Sequence, residues 1–255
     1  MSSRMPVLFV GHGSPMNAVE QNDFTRTWRQ LGESIPRPAA ILSVSAHWYT
    51  DGFRIQTVSK PRQVYDMYGF PRELYELKYR PAGSPELADR VIQLTHAEIQ
   101  ADNSWGIDHG TWAVLCNMYP RDDIPVVQLS VNRTASFQEQ YAVGQDLKLL
   151  RDENILIFTS GNIVHNLGMI DWNKDGGFGW ADSFDAAVRD AVVKGDVESV
   201  MKTATEGKDA RLAFPSPDHF MPLMYALGAA GADRTTVFND ARTLGSLSMT
   251  GFVFG

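Results

Sequence analysis

Five of the six histidines stand in short loops beside glycine, proline, serine or asparagine. They are His12 in GHGSP, His47 in SAHW, His109 in DHG, His165 in GNIVHN and His219 in PDHF. Neutral imidazole is the commonest side-chain ligand for zinc, iron and copper, and it moves protons near neutral pH. A catalytic metal asks for about three protein ligands and an open position. The supply of histidine therefore fits one metal site, with one or two rings left for proton transfer. Any one of these histidines alone is an ordinary hydrogen-bonded residue at a strand end; their shared context points to a metal. The sixth, His96, lies in a helical stretch beside Thr95 and near Glu98 and reads as a surface residue. Other motifs carry less. GHGS lacks the GxSxG elbow of a serine nucleophile. No GxGxxG or GxxxxGKS occurs, so dinucleotide and P-loop chemistry have no support.

Three of the five histidines follow apolar strands. Val7–Val10 is a short buried strand that Gly11 ends, and Gly13 and Pro15 force a turn around His12. Ala40–Ser45 is a second strand, with His47 just past its end. Ile155–Thr159 is nearly continuous apolar sequence, as buried parallel strands tend to be, and ends in Ser160-Gly161-Asn162 with His165 beyond. If these strands run parallel, the three rings emerge at the carboxyl edge of one sheet, where open α/β sheets bind ligands. Ser14 and Asn17 read as turn formers that also contact a ligand.

Around these strands the pattern predicts helices over Phe24–Leu31, from Ser84-Pro85 onward, over Trp112–Tyr119 and over Ser136–Arg151. Further helices are predicted over Phe184–Lys194 and Val197–Thr205. Phe53–Val58, Ile124–Val131, Thr235–Phe238 and Leu244–Phe254 read as strands. His219 falls either in the first turn of a helix opened by Ser216-Pro217-Asp218, or in an irregular turn before a helix starting nearer Pro222. Pro222 would cost a hydrogen bond in the earlier start. Lys60–Pro71 is a long aromatic loop, either a cover over a site or a packed surface loop. Strands and helices alternate along most of the chain, which predicts one α/β domain over residues 1–255. Its central sheet is mostly parallel or mixed, flanked by helices, with a metal site at the carboxyl ends of its strands.

The 255 residues are 44% hydrophobic and 21% charged, enough for one large core. A net charge of -7 and the absence of any lysine- or arginine-rich run leave no basic footprint for nucleic acid or an anionic membrane. The single cysteine, Cys116, forms no internal disulfide and sits in the apolar TWAVLCNMY as a core residue. The N-terminal stretch shows no secretory signal, and no apolar run approaches the roughly 18 residues of a membrane span. Together these features predict a cytoplasmic protein. Nothing in the pattern sets an oligomeric state.

The chain resembles the class III extradiol ring-cleavage dioxygenases of the DOPA 4,5-extradiol type. The resemblance rests on GHGSPMN at 11–17, SAHW at 45–48, WGIDHGTW at 105–112, SGNIVHNL at 160–167 and PSPDHFMPL at 215–223. GFP at 69–71, PAGSP at 81–85 and GSLSM at 245–249 extend it. It implies metal ligation by His12 and His47. His219 stands where many relatives place a carboxylate, with Asp218 beside it. It further implies His165 as an acid/base close enough to ligate the metal, and His109 as a second pocket histidine orienting substrate or oxygen. One divalent metal is implied, Fe(II) for dioxygenase activity or Zn(II) as bound. The implied reaction opens the ring of a DOPA-like catechol with O2 to a muconic semialdehyde. Ser14, Asn17, Trp48, Tyr68, Phe70 and Asn162 are the expected substrate-pocket residues, with Trp112 a further ring-stacking candidate that reads better as core. Arg54, Arg62 and Arg72 are candidates for a substrate carboxylate. Two alternatives stand beside this reading: a zinc-dependent hydrolase, and a non-catalytic metal-binding or interaction module of the same fold.

Overall fold

The computed structural model describes residues 4–255, so Met1–Ser3, the start of the stretch read as no secretory signal, lie outside it. An eight-stranded mixed sheet is built from β1 (Val7–Gly11), β2 (Ala40–Thr50), β3 (Phe53–Ile55), β4 (Ile99–Ala101), β5 (Val126–Asn132), β6 (Ile155–Gly161), β7 (Thr235–Phe238) and β10 (Gly251–Phe254). A separate hairpin pairs β8 (Arg242–Thr243) with β9 (Leu247–Ser248). The spatial order is β4-β3-β5-β2-β6-β1-β10-β7. The centre, β5-β2-β6-β1, is parallel, while β10 joins β1 and β7 antiparallel and β3 joins β5 antiparallel. The α-helices are α1 (Asp23–Ser34), α2 (Arg72–Glu76), α3 (Pro85–Leu94), α4 (His109–Met118), α5 (Phe137–Leu147), α6 (Gly179–Lys194), α7 (Val197–Glu206), α8 (Ala210–Ala213) and α9 (Pro222–Ala230). Among the described residues, no helix is long and apolar enough to cross a membrane.

Strand side chains alternate between two cores. Val7, Phe9, Leu42 and Ile157 pack with Leu147, Val188, Leu223 and Tyr225, which come from α5, α6 and α9. Leu8, Val10, Ile41 and Phe158 pack with Trp28, Trp112 and Leu115 of α1 and α4. Burying a side chain of this size stabilises by about 1.5–3 kcal/mol. A one-residue slip would send each strand residue to the wrong core, so the register of β1 on β6 is strongly specified.

Several predicted boundaries move. β2 does not stop at Ser45; it runs on through His47 to Thr50, and its pairing with β5 shifts register between Val44 and Tyr49. His47 is therefore inside a strand, at a break in its ladder, rather than past its end. α4 starts at His109, not Trp112, because Asp108 O accepts from the amides of Thr111 and Trp112 at 3.0 and 2.9 Å. α5 ends at Leu147 and passes into a 3-10 turn. The tail strand over 244–254 is not continuous: Leu244 and Gly245 take positive φ (53 and 79°), which excludes its first residues, and β9 and β10 are separated at Met249–Thr250. α9 begins at Pro222 with His219 in a separate 3-10 turn, the second of the two starts considered above. His96 follows α3 on the surface and pairs with Asp146 at 2.9 Å. Cys116 is partly buried against the α1–α4 core, where burial pushes its thiol up to about 12, far from a nucleophile's range.

Candidate metal and active centre

The three parallel strands β2, β6 and β1 are neighbours, so their carboxyl ends meet at one edge of the sheet. His12 leaves β1 there. Gly13, at φ +61°, turns the chain back in a conformation glycine adopts without steric cost. The next turn is capped by Ser14 Oγ, which accepts from Met16 N at 3.2 Å. Asn17 Nδ2 donates to His12 O at 3.1 Å, and Asn17 Oδ1 accepts from Asn22 at 2.9 Å. Both amide atoms of Asn17 thus serve the loop. His219 is brought in by close approach to β6. Asn162 N donates to His219 O at 2.8 Å, and a Cβ on Gly161 would stand 2.1 Å from that same oxygen.

Five imidazoles converge at this edge. Ring centroids separate His12 from His47 by 5.0 Å, His47 from His109 by 4.0 Å, and His219 from His12 and His47 by 5.3 and 5.0 Å. His165 stacks on His219 at 3.4 Å, with 4° between the planes. The potential ligand atoms fall into two adjoining trios, each within 4.8 Å: His12, His47 and His109, and His165, Asp218 and His219.

Hydrogen bonds decide which nitrogen of each ring is free. Ser160 Oγ donates to Gly110 O at 2.5 Å, so it must accept from His12 Nδ1–H at 2.9 Å. Asp66 Oδ1 accepts from His109 Nδ1 at 2.9 Å and from the His109 amide at 3.1 Å. Its Oδ2 lies at ion-pair distance, 2.9 Å, from His47 Nδ1. Asp218 Oδ1 accepts from His219 Nδ1 at 2.8 Å. In His12, His109 and His219 these partners place the proton on Nδ1 and leave the Nε2 lone pair for a ligand, while His47 turns Nδ1 to the Asp66 carboxylate and Nε2 to His12. The Nε2 atoms of His12 and His47 face each other across 3.1 Å, and His219 Nε2 is buried with no partner. In the metal-free protein a proton on His47 Nε2 can bridge to His12 Nε2; once a cation displaces it, these converging Nε2 atoms are its donor set, with carboxylates behind the rings orienting them.

The electrostatics agree. Burial, and then the neighbouring imidazoles, hold His12 and His219 well below the usual histidine value. Burial likewise lowers His109, and brings His165 down to about 4. His47 alone is raised: burial opposes protonation, but Asp66, Asp108 and Asp218 together outweigh it. Asp66 stays ionised because His109 and His47 overcome the desolvation that would raise it. Four rings are thus held neutral, as a metal needs, and the fifth, His47, releases its proton when a metal binds.

Beside the rings lies a cavity of about 230 Å³, lined by His165, Leu167, Gly168, Pro215, Ser216 and Asp218. A larger cleft of about 470 Å³ lies between α1 and the end of α4, lined by Arg29, Glu33 and Cys116 among others, away from the histidines. The expected pocket residues are dispersed. Trp48 is buried, and Phe70 packs against the α1–α4 core. Tyr68 is 93% exposed, so it does not cover the rings; Gly69, at φ +78°, turns the loop there while Asp66 is drawn inward by two imidazoles. Asn162 is fully buried and donates to Ser248 O at 2.7 Å, bracing its loop. Trp112 is core, its Nε1 donating to Val64 O at 2.8 Å. Arg54, Arg62 and Arg72 are engaged with Gln100, the carbonyl of Trp105 and Glu76, and none lines the cavity beside His165.

Sequence reasoning overlooked Asp66, Ser160 and Asp108. Asp108 accepts from Ser45 Oγ at 2.6 Å and Trp105 Nε1 at 3.0 Å, tying the turn before His109 to β2. Its place directly before His109 was a usable signal. Asp66 had none, being one acid in an aromatic loop far along the chain from both rings it joins.

Residues 3–255 match the family described as the catalytic LigB subunit of aromatic ring-opening dioxygenase. The chain is 42% identical to a 4,5-DOPA dioxygenase extradiol of Escherichia coli K12, over 100% of this chain and 96% of that protein. It is 40% identical to a protein of the same name from Beta vulgaris, over 88% of this chain and 86% of that one. A solved structure of an uncharacterized Escherichia coli K12 protein superposes with a TM-score of 0.85 at 40% identity, covering 99% of this chain and all of the other.

Proposed function

This chain belongs to the LigB family of aromatic ring-opening dioxygenases and is an extradiol dioxygenase; we propose that it opens the ring of a DOPA-like catechol with O2 to a muconic semialdehyde. The observation that carries the reading is the set of buried rings whose Nδ1 atoms face Asp66, Asp218 or Ser160, which leaves Nε2 of His12 and His47 turned to each other and Nε2 of His219 buried without a partner beside them. His12, His47 and His219 are the proposed ligands. The buried and partnerless Nε2 of His219 favours it as the third, with His165 stacked alongside and within reach. A divalent metal there, Fe(II) for turnover or Zn(II) as bound, would lower the pKa of the catechol hydroxyls and bring substrate and dioxygen to one place.

The remaining work falls to this chain's own side chains. His165 is neutral at pH 7 and borders the cavity, so it takes the second phenolic proton, and general-base help of this kind is worth roughly 100- to 10,000-fold. Burial makes the imidazolium costly, so the proton is passed on readily to the opening ring. His109, held by Asp66 on the far side of His47, orients substrate or oxygen. Leu167 and Pro215 form the apolar wall for the ring beside His165.

The test is dioxygen uptake after anaerobic loading with Fe(II), and separately with Zn(II), against a panel of catechols that includes L-DOPA. Uptake with Fe(II) alone and a yellow ring-opened product is the expected result. No uptake on any catechol, by protein shown to hold Fe(II), would overturn the proposal.

A further inference from the structure

Asp185, on α6, is fully buried and lies outside the histidine cluster. A carboxylate is expensive to bury unless several donors meet it. Here three do. The Ser248 hydroxyl donates to Oδ2, Thr250 Oγ1 donates to Oδ1 at 3.0 Å, and Arg242 Nη1 reaches Oδ1 at 3.2 Å. All three donors belong to one stretch, residues 242–250, which contains the GSLSM motif.

That stretch runs antiparallel along the loop carrying His165. Ser248 N donates to Val164 O at 2.9 Å, Asn166 N to Ser246 O at 3.1 Å, and Ser246 Oγ to Asn166 O at 2.8 Å. Asn162 Nδ2 donates to Ser248 O at 2.7 Å, and His165 itself bridges to Leu247. The loop's other side is held by His165 N donating to Ala213 O at 2.8 Å. Ser248 Oγ, while donating to Asp185, also accepts from Thr250 N at 3.2 Å, which fixes its rotamer. One buried carboxylate therefore anchors the residues that flank His165 on both sides.

We propose that Asp185 is a positioning residue for His165: by anchoring residues 242–250 it registers the loop 162–166 and sets where the imidazole stands beside the substrate cavity. The proposal rests on the reading of His165 as the base. Asp185→Asn is a mild probe, because Arg242 keeps Asp182 at 2.9 Å and Asp240 at 2.6 Å.

The experiment compares Asp185→Asn with the unaltered chain, alone and combined with His165→Ala. In Fe(II)-loaded enzyme the single variant should lose about 10- to 100-fold in kcat with KM and metal content nearly unchanged. Added to His165→Ala it should cost nothing further, because a positioning residue acts only through the group it positions. In metal-free protein, amide exchange over 162–169 should speed up while exchange over Ile155–Gly161 stays as before. Equal losses with and without His165, or unchanged exchange over 162–169, would overturn the proposal. If His165→Ala alone kept full turnover, the base reading would fall, and the exchange measurement would still decide the anchoring. Should Asp185→Asn not fold, Ser248→Ala removes one anchor bond and is held to the same outcomes.

Discussion

At His12, His47, His109 and His219 one ring nitrogen is committed to a carboxylate or hydroxyl, and the chemistry belongs to the other. His12→Ala should abolish stoichiometric metal binding, whereas His165→Ala should keep the metal and lose most turnover; metal content and oxygen uptake on the same samples separate the two. His219→Ala should lose the metal and His109→Ala should retain it, a contrast that tests His219, rather than His109, as the ligand completing the set with His12 and His47. Asp66 serves two rings with one carboxylate. In Asp66→Asn the amide offers one acceptor and one donor, so one ring is forced to the opposite tautomer and its Nε2 lone pair is lost. Metal affinity should fall about 10- to 100-fold, readable by competition with a chelator.

At the scale of elements, the centre depends on close approach between parts of the chain far apart in sequence. β6 brings Gly161 against the carbonyl of His219, and α4 begins at His109, so that ring sits on the positive end of a helix, which disfavours protonation. Gly161→Ala would drive a methyl into His219 O and push the 3-10 turn away from β6. It should lose metal affinity and destabilise by about 1–3 kcal/mol, as overpacking does, in denaturant unfolding of the metal-free protein. On α4, away from the histidines, Cys116 is held as an unreactive thiol by burial and is expected to resist thiol reagents in the folded state.

Across the whole molecule, crowding several neutral imidazoles into one buried site makes folding sensitive to acid. His12, His109, His165 and His219 all have folded-state values below that of an unfolded histidine, about 6.5. As pH falls through 6.5 the unfolded chain takes up protons that the folded one refuses, so stability is present above 6.5 and lost toward about 4, the value of His165. Each such histidine costs up to about 1.4 kcal/mol per pH unit. His47, raised by Asp66, works the other way, as do Asp185 and Asp218, raised by burial. The metal-free protein should therefore melt progressively lower from pH 6.5 to 4.5. A bound divalent ion at a hundredfold over its Kd should restore about 2.7 kcal/mol at neutral pH, and calorimetry with and without metal checks both.

The amino-acid sequence by itself determined the α/β architecture and the sheet edge at which His12, His47 and His165 emerge. Apolar strands ending in glycine are local signals, and the order of the motifs carried the resemblance to the family. It also placed His219 just before or at the start of the apolar helix after Pro217, and the structure chose the later start, with His219 in its own 3-10 turn ahead of α9. Tertiary structure alone decided the rest. That Asp66 joins His47 to His109, that Ser160 holds His12, and that residues 242–250 clamp the His165 loop are contacts between segments tens of residues apart, with no periodic trace in the chain. The extension of β2 through His47 was set by its renewed pairing with β5 at Tyr49 and Thr50, and the exposure of Tyr68 shows only in the folded chain. Local patterning specifies which elements form; the choice of free nitrogen on each ring waits until those elements have packed.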